Sequence, residues 1–420
     1  MLADNADNAA TAPAPRTVLC LASYEKGHEF LRECKRLGWR TLLLTVTDLR
    51  DAAWPRESLD DLLFVPDLAA RDDVIKAVAY LARERPPDRI VALDDYDVET
   101  AAALREHLRL PGMGASRAKL VRDKLAMRVR AREAGILVPE FIGIFARDAL
   151  SAFMARVPPP WVLKPRAEVS TIGIARIAAP DDLWPRLDEL GDRQSFFLLE
   201  RYIPGDVYHV DTIIREGEVL LAEAHRYARP PLDVFHTGGI ASTRPLPRDS
   251  EDAQALDALN RLVLEALELR TGVSHVEFIR GSEDGRFYFL EAGARVGGAH
   301  IVELIEAATG LNLWREWAWL ELGEDPSAYR LPARRFDYGG LIVTLARQEH
   351  PDTSAYADPE IVWRMEQHHH VGFVVASGEA ARVAALLEDY SRRFEEDFFA
   401  SMPPLTDPTQ IRGAHHAPET

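Results

Sequence analysis

Two acidic side chains stand in a segment whose other residues are typical of buried strands. Glu277 and Glu291 are each embedded in a run of valine, phenylalanine and leucine. Glu283–Gly285 fits a three-residue hairpin loop with its glycine in the left-handed conformation, and that loop places Glu277 directly opposite Glu291. A two-residue Asp284-Gly285 turn would instead send the two glutamates to opposite faces of the sheet.

The first register brings two like charges together. The Cβ atoms of the two glutamates would lie about 4.5–5.5 Å apart, a distance at which like charges repel. A bound cation or a shared proton would make the pair tolerable. The other interpretation is that both glutamates lie on the solvent face of an amphipathic sheet, so the rest of the chain has to decide between the two.

Lysines and hydroxyl side chains precede this hairpin along the chain. Lys164 ends the apolar segment WVLKPR, directly before a stretch of small residues that contains Ser170, Thr171 and Gly173. A lysine beside such a loop suits the oxygens of a triphosphate. Lys124 lies earlier, in a predicted helix. Either lysine alone is typical of a solvated surface, so the argument rests on the order of these elements.

The order of Lys124, Lys164, the segment FFLLERYIPGDVYHVD and the carboxylate hairpin resembles the ATP-grasp superfamily. Within it, the resemblance is to the carboxylate–amine ligases that join amino acids or peptides, with biotin carboxylase as a relative. The resemblance runs from about Thr17 to Leu322 and is strongest from Lys164 to Gly298. It implies ATP held between a small and a large α+β lobe, behind an N-terminal α/β domain.

The resemblance also implies a role for each matching residue. Lys124 and Lys164 match two lysines that hold the ATP phosphates, and Lys164 is also expected to assist catalysis. Glu200 matches the hinge acid near the adenine amino group. Glu277 and Glu291 match the acids that bind Mg²⁺, for which Mn²⁺ is a substitute, and hard carboxylate oxygens suit that ion. The other residues expected to bind ATP are Arg201, Tyr202, Ile203, Asp206, His209, Ser170 and Thr171.

Three positions depart from the family pattern. Asparagine often follows the second metal-binding acid by two residues, but Gly293 stands here, so one oxygen ligand has to come from water or elsewhere. Val207 replaces a frequent glutamate, so the ribose contact falls to Asp206 or His209. Ala299 replaces the catalytic glutamate of biotin carboxylases, which argues against bicarbonate activation and favours the ligase branch.

Substrate contacts are expected around the second lobe. Arg295 matches an arginine that holds the substrate carboxylate or the acyl phosphate made from it, and it is the second expected catalytic residue. Asp211, His236 and His300 are candidates to position or deprotonate the amine, and their spacing selects none of them. A histidine among strands is more often structural. The remaining candidates for substrate contact are Arg226, Gly238, Gly239, Gly297 and Gly298.

The mechanism implied is ATP-dependent amide bond formation. A carboxylate attacks the γ-phosphoryl group, and an amine then displaces phosphate from the acyl phosphate, so that ADP and phosphate are released. Catalysis of this kind rests on positioning and charge neutralisation. The alternatives are a nucleotide-binding protein with reduced catalysis, suggested by Gly293 and Val207, and an ATP-grasp enzyme linked to biotin or coenzyme A.

Composition limits the partners. The 420 residues carry a formal net charge of −17, which disfavours nucleic acid and anionic membranes as partners. The first sixteen residues lack the pattern of a secretory signal, and no apolar run reaches the ~20 residues that cross a bilayer. We therefore expect a soluble cytoplasmic enzyme that binds a small-molecule carboxylate and an amine. Homodimers are frequent for this architecture, but the sequence does not establish one, so a homodimer is left as an open alternative.

Hydrophobic periodicity predicts the elements that position these residues. Strands alternate with helices from Thr17, which predicts a parallel sheet, and antiparallel strands follow from Phe196. The predicted class is α/β and α+β: an N-terminal parallel α/β domain, a two-lobed ATP-grasp fold and a C-terminal α+β segment. The predicted divisions are a flexible tail (1–16), the N-terminal domain (17–113), the small lobe with connecting helices (114–195), the large lobe (196–324), the C-terminal segment (325–406) and a second flexible tail (407–420).

Overall fold

The chain folds into one parallel and two antiparallel sheets with helices packed against them. A computed structural model describes residues 15–168, 173–237, 239–323 and 325–400. The predicted α/β and α+β class is confirmed. None of the helices in these ranges combines the length and apolar character needed to cross a membrane. The domain boundaries given above stay predictions.

The N-terminal sheet is parallel because apolar strands alternate with helices that return the chain to the same edge. Its elements are β1 (Thr17–Ala22), α1 (His28–Arg36), β2 (Arg40–Val46), β3 (Asp61–Val65), α2 (Arg71–Leu81), β4 (Arg89–Ala92) and α3 (Val98–Leu108). The strand order is β3-β2-β1-β4, and every residue of β1 is buried. The carboxyl end of β4 leads into an acidic turn at residues 95–97.

The stretch that connects the N-terminal domain to the small lobe contains two helices, α4 (Ala115–Leu120) and α5 (Lys124–Glu133). The break lies at Asp123, whose side chain accepts hydrogen bonds from the backbone N–H of Leu125 at 2.9 Å and of Ala126 at 3.3 Å. An aspartate in this position starts a new helix by satisfying its first free N–H groups. The new start makes Lys124 the first residue of α5.

The small lobe is a four-stranded antiparallel sheet with two helices and its own apolar core. Trp161 and Leu183 are among the side chains of that core. The elements are β5 (Phe141–Gly143), α6 (Arg147–Arg156), β6 (Trp161–Pro165), β7 (Ala175–Ile177), α7 (Pro180–Leu190) and β8 (Phe197–Arg201). The strand order is β5-β8-β6-β7, so β6 and β8, which carry Lys164 and Glu200, are the two central strands.

The large lobe and the C-terminal segment share one eight-stranded sheet. Their elements are β9 (Gly205–Arg215), β10 (Glu218–Tyr227), α8 (Pro231–Thr237), β11 (Ala241–Pro245), α9 (Glu251–Ala266), β12 (Gly272–Gly281), β13 (Phe287–Gly293), α10 (Ile301–Thr309), α11 (Leu313–Leu322), β14 (Tyr338–Leu345), β15 (Ile361–Arg364), β16 (His370–Ser377) and α12 (Ala380–Asp397). The strand order is β13-β12-β9-β10-β11-β14-β16-β15. The C-terminal strands β14–β16 therefore continue the large-lobe sheet beyond β11.

The N-terminal domain and the large lobe are held together by a common hydrophobic core. Phe30 of α1 meets Trp317 of α11 edge to face, with ring centroids 5.2 Å apart. The small lobe contributes a separate cluster. This arrangement fixes the acidic turn after β4 against the large lobe, close to the end of β13.

Candidate functional site

A cleft of about 950 Å³ lies between the small-lobe sheet and the large-lobe sheet. Apolar residues of both lobes, including Val162, Ile279 and Leu290, line it beside charged groups. Eight of the residues singled out from the sequence meet there: Lys124, Lys164, Glu200, Arg201, Tyr202, Ile203, Glu277 and Glu291. An apolar pocket with a few converging charges is typical of a small-molecule site.

The two glutamates of the hairpin face each other, but the loop differs from the predicted one. Glu277 pairs with Glu291 across β12 and β13. The loop has four residues rather than three, because the Gly281 N–H donates to the Arg286 carbonyl at 2.9 Å. A bulge at Leu290 then shifts the register by one residue and restores the pairing. The two differences cancel, so the predicted juxtaposition of the glutamates is correct.

Each glutamate has different partners. Lys124 Nζ lies 3.0 Å from Glu291 Oε2. Burial raises the pKa of Glu291, but Lys124 and Lys164 lower it more, to about 2. Glu277 Oε1 accepts a hydrogen bond from the Tyr227 hydroxyl at 3.1 Å. Because Glu291 is ionised at neutral pH, the pair does not need a shared proton, and its oxygens suit a divalent cation.

Lys164 points to the hinge acid. Its ammonium group forms an ion pair with Glu200, and both side chains are buried. Burial lowers the pKa of Lys164 to about 8, against the opposing attraction of Glu200. Lys164 is therefore still mostly charged at neutral pH. Lys124 also donates from Nζ to the Glu168 carbonyl at 2.6 Å, which ties α5 to the segment after β6.

Arg128 completes this cluster and was missed from the sequence. Its side chain is fully buried, with Nε 3.0 Å from Glu200 Oε2, and it donates to the Leu290 carbonyl in the bulge. Burial raises the pKa of Glu200, but Arg128 and Lys164 lower it more. The available signal was its spacing, since Arg128 lies four residues after Lys124 on the same helix face.

Arg295 is held by the N-terminal domain. Its Nε donates to Asp95 in the turn after β4, and its Nη1 donates to the Val296 carbonyl at 2.8 Å. Burial lowers the pKa of Arg295, but Asp95 and Asp94 raise it more. Arg295 is not among the described residues that line the cleft. Asp95 was missed, although carboxylates just beyond the carboxyl end of a parallel strand are a usual sign of a site.

Comparison with known families identifies the two-lobed fold. Residues 157–303 match the model of the ATP-grasp domain, and residues 31–112 match that of the ATP-grasp N-terminal domain. The chain belongs to the ATP-grasp superfamily. The resemblance stated from the sequence is thus confirmed, and the matched ranges include Lys164, Glu200 and both hairpin glutamates.

Similar proteins within ATP-grasp include amino acid ligases. The chain is 24% identical over 274 residues to the L-arginine-specific L-amino acid ligase of Bacillus subtilis, covering 64% of this chain and 66% of that protein. It is 27% identical over 261 residues to the D-alanine–D-alanine ligase of Anaeromyxobacter dehalogenans (strain 2CP-C), covering 59% of this chain and 82% of that protein.

Solved structures share the ATP-grasp fold over nearly the whole chain. The L-amino acid ligase from Bacillus licheniformis superposes with a TM-score of 0.73 at 17% identity, covering 92% of this chain and 99% of that one. The biotin carboxylase domain of the Hydrogenobacter thermophilus 2-oxoglutarate carboxylase gives a TM-score of 0.67 at 16% identity, covering 92% and 90%. Both likenesses establish the fold.

Two residues expected at the ATP-grasp cleft lie on the opposite face of the large-lobe sheet. Val207 lines the cleft, and neighbouring residues in a strand face opposite ways, so Asp206 faces away. Arg226 lies on that far face too, with Nη1 3.3 Å from Asp206 Oδ2. The structure therefore corrects the ribose contact expected of Asp206 and the substrate contact expected of Arg226.

His209 and Asp211 are buried behind the cleft rather than exposed in it. His209 Nδ1 lies 2.7 Å from Asp211 Oδ2, and its Nε2 lies 2.8 Å from Thr243 Oγ1. Both side chains are 0% exposed. With both ring nitrogens occupied, His209 cannot make the expected ATP contact. Both oxygens of Asp211, one of the three candidates to position or deprotonate the amine, meet imidazoles instead.

The second of these imidazoles belongs to His275. Its Nδ1 lies 2.9 Å from Asp211 Oδ1, and its Nε2 lies 3.6 Å from Glu277 Oε1. Burial lowers the pKa of His275, but Asp211 raises it more, to about 9. The ligand atoms of His209, Asp211 and His275 lie within 4.8 Å of one another, a spacing that also suits a metal ion. The hydrogen bonds account for this spacing without one.

The remaining substrate candidates are scattered. Gly297 is buried, and a Cβ there would lie 2.9 Å from Asp211 Oδ1, whereas Gly298 is exposed with open space around it. His300 directly precedes α10, and its ring lies 4.6 Å from that of Trp363 on β15. A Cβ on Gly239 would lie 2.6 Å from an Arg229 nitrogen. Ser170, Thr171, Gly238 and the side chain of His236 lie outside the described residues.

Proposed function

We propose that this protein is an ATP-dependent carboxylate–amine ligase that forms an amide or peptide bond and releases ADP and phosphate. The observation that carries the proposal is the facing pair Glu277 and Glu291 in the interlobe cleft, with Lys124 3.0 Å from the second glutamate. The cleft thus combines anionic and cationic groups beside an apolar surface, which a magnesium nucleotide requires.

The adenine ring fits the apolar end of the cleft. Val162, Ile279 and Leu290 line that end. In the hinge, the Arg201 N–H donates to the Glu140 carbonyl at 2.7 Å, and the Tyr202 N–H donates to the Pro160 carbonyl at 3.0 Å. These two amides are used within the fold. The adenine edge is therefore expected at the hinge carbonyl groups and at Ile203.

The charged end would hold the phosphates. Lys124 and Lys164 would bind phosphate oxygens, exchanging their present carboxylate partners for the nucleotide. Glu277 and Glu291 would hold Mg²⁺, with Mn²⁺ as a substitute, and Tyr227 keeps Glu277 in place through its hydroxyl. An ion held by these two glutamates would supply positive charge that offsets the charge of the phosphates and so would lower the barrier to phosphoryl transfer.

The reaction would run in two displacements. A substrate carboxylate oxygen bonds to the γ-phosphorus while the bond to ADP breaks, giving an acyl phosphate. The amine nitrogen then bonds to the carbonyl carbon, loses a proton, and inorganic phosphate leaves with the C–O electron pair. Arg295 would hold the acyl phosphate charge. It lies outside the lining of the cleft, and its ion pair with Asp95 supports this role by holding the guanidinium beside the end of β13. The names of the two similar ligases favour amino acids as substrates.

The test supplies ATP, Mg²⁺ and amino acids singly and in pairs, and measures ADP release and product mass. We expect a product lighter by one water than the sum of a pair. Glu277→Ala and Glu291→Ala should abolish it, whereas Glu218→Ala should not, because that glutamate is 62% exposed beside Arg215 at the far end of β10. Undiminished ADP release in both cleft variants would contradict the proposed site.

A further inference from the structure

The position two residues after Glu291 has no side chain. Gly293 follows Glu291 on β13 and pairs with His275, just as Glu291 pairs with Glu277. Residues two apart in a strand share a face, so Gly293 lies on the same face as the carboxylate pair. A residue with a side-chain oxygen at this position could add a ligand to the cation site, and glycine cannot.

An oxygen from another domain lies over Gly293. A Cβ built on Gly293 would be 3.3 Å from Asp95 Oδ1 and 3.3 Å from Cγ of Arg295. The Asp95 carboxylate therefore stands where a side chain at position 293 would extend. It reaches this place because the N-terminal domain and the large lobe share one core.

This oxygen is buried and lacks a hydrogen-bond partner within the described ranges. Asp95 is 4% exposed, and only its Oδ2 meets Arg295. Burial raises the pKa of Asp95, but Arg295 and Arg122 lower it more, so the carboxylate is ionised. A buried carboxylate oxygen without a partner is costly, and a bound ion is one of the features that account for such an atom in a native structure.

We propose that Asp95 supplies the third carboxylate ligand of the divalent cation held by Glu277 and Glu291, in place of the side chain that Gly293 lacks. This inference rests on the proposed function, which places the cation at the glutamate pair. A cation bound between the three carboxylates would offset the repulsion between their like charges.

The proposal requires a local movement. Among the described residues, the only group of three potential ligands within 4.8 Å of one another is His209, Asp211 and His275. Asp95, Glu277 and Glu291 therefore have to converge further when the cation binds. The N-terminal domain would then be a component of the metal site, and the cation would link it to the hairpin.

The test measures Mn²⁺ affinity by electron paramagnetic resonance, with ADP present at one fixed concentration. Asp95→Ala should weaken Mn²⁺ binding by about tenfold or more. The double change Asp95→Ala with Gly293→Asn should restore most of the Mn²⁺ affinity. The space that the Asp95 carboxylate occupied is then free, and the asparagine side chain supplies an oxygen to the ion. Gly293→Asn alone should not improve binding, since its Cβ meets Asp95. Asp94→Asn, which removes a neighbouring charge paired with Lys26, is the matched control and should change the affinity by about twofold or less.

Two further variants separate the explanations. Arg295→Gln removes the ion pair but leaves the Asp95 carboxylate in place, so its loss of Mn²⁺ affinity should be clearly smaller than that of Asp95→Ala. Equal losses in Arg295→Gln and Asp95→Ala, without rescue by Gly293→Asn, would show that Asp95 acts only through Arg295 and would overturn the inference. Wild-type Mn²⁺ affinity in Asp95→Ala, together with lost binding in Glu291→Ala, would also overturn the inference. Wild-type affinity in Glu291→Ala would instead reject the proposed metal site itself. The isosteric Asp95→Asn, with ADP binding as the check of folding, guards against a misfolded alanine variant.

Discussion

Replacing Asp211 by asparagine tests the buried network behind Glu277. Burial lowers the pKa of His275, but the carboxylates of Asp211, the stronger contributor, and Glu277 raise it to about 9, compared with 6.5 for a free histidine. That difference corresponds to about 3 kcal/mol of stabilisation at 1.36 kcal/mol per pH unit. Because the folded value is the higher one, the stabilisation is complete below pH 6.5 and is lost as the pH rises through 9. Asparagine carries no negative charge to attract the imidazolium, so the variant should lose most of this contribution.

Urea unfolding followed by circular dichroism at pH 6.0 and pH 9.5 measures the effect. The free energy of unfolding of Asp211→Asn should lie below that of wild type by about 3 kcal/mol at pH 6.0, and the gap should shrink to about 1 kcal/mol or less at pH 9.5. Asp257→Asn, which removes a half-exposed carboxylate beside Arg261, should stay within about 0.5 kcal/mol at both pH values. A gap that does not change with pH would refute the assignment of the positive charge to His275.

Two other predictions concern the cleft and the sheet beside it. Because burial lowers the pKa of Lys164 to about 8, about three quarters of this side chain is neutral at pH 8.5. ATP binding at that pH should therefore be accompanied by uptake of a fraction of a proton, which calorimetry in buffers of different ionisation enthalpy measures. Lys164→Arg should abolish this proton uptake. The same uptake in Lys164→Arg would assign it to another group. A Cβ on Gly205 would lie 2.0 Å from the Arg280 carbonyl oxygen, so Gly205→Ala should lower the free energy of unfolding by about 2 kcal/mol or more. Gly378→Ala, where nothing lies within 4 Å, should be neutral in thermal melts, and equal losses in the two variants would contradict the steric argument.

The hairpin shows how far local pattern can lead. The alternation of apolar residues and the glycine turn predicted that Glu277 faces Glu291, and they do face each other. The route was different, because a longer loop and a bulge at Leu290 compensate for each other. The predicted facing was therefore correct although the predicted loop was not. The bulge at Leu290 is supported by the neighbouring strand and by Arg128, which donates to the Leu290 carbonyl. Neither of these can be recognised from the sequence of the hairpin alone.

The alternation of side chains along a strand was not enough to predict which residues of β9 face the cleft. Alternation separates Asp206 from Val207, but it does not say which of the two faces the cleft. That depends on the pairing of β9 with β12 and on the position of the small lobe. The same ladder buries His209 and Asp211 in a network with His275, so residues suited by type to ATP or amine contacts have structural partners instead.

The class of the fold, the order of its elements and the carboxylates and lysines that line the interlobe cleft could all be predicted from local sequence. They follow from periodicity, turn residues and family motifs, all of which lie within short stretches of chain. The contacts between distant stretches became visible only in the folded molecule. Arg295 meets Asp95 across 200 positions of the sequence, and Arg128 meets Glu200 across 72. Such contacts arise from the packing of whole domains on a shared core, which no local pattern encodes.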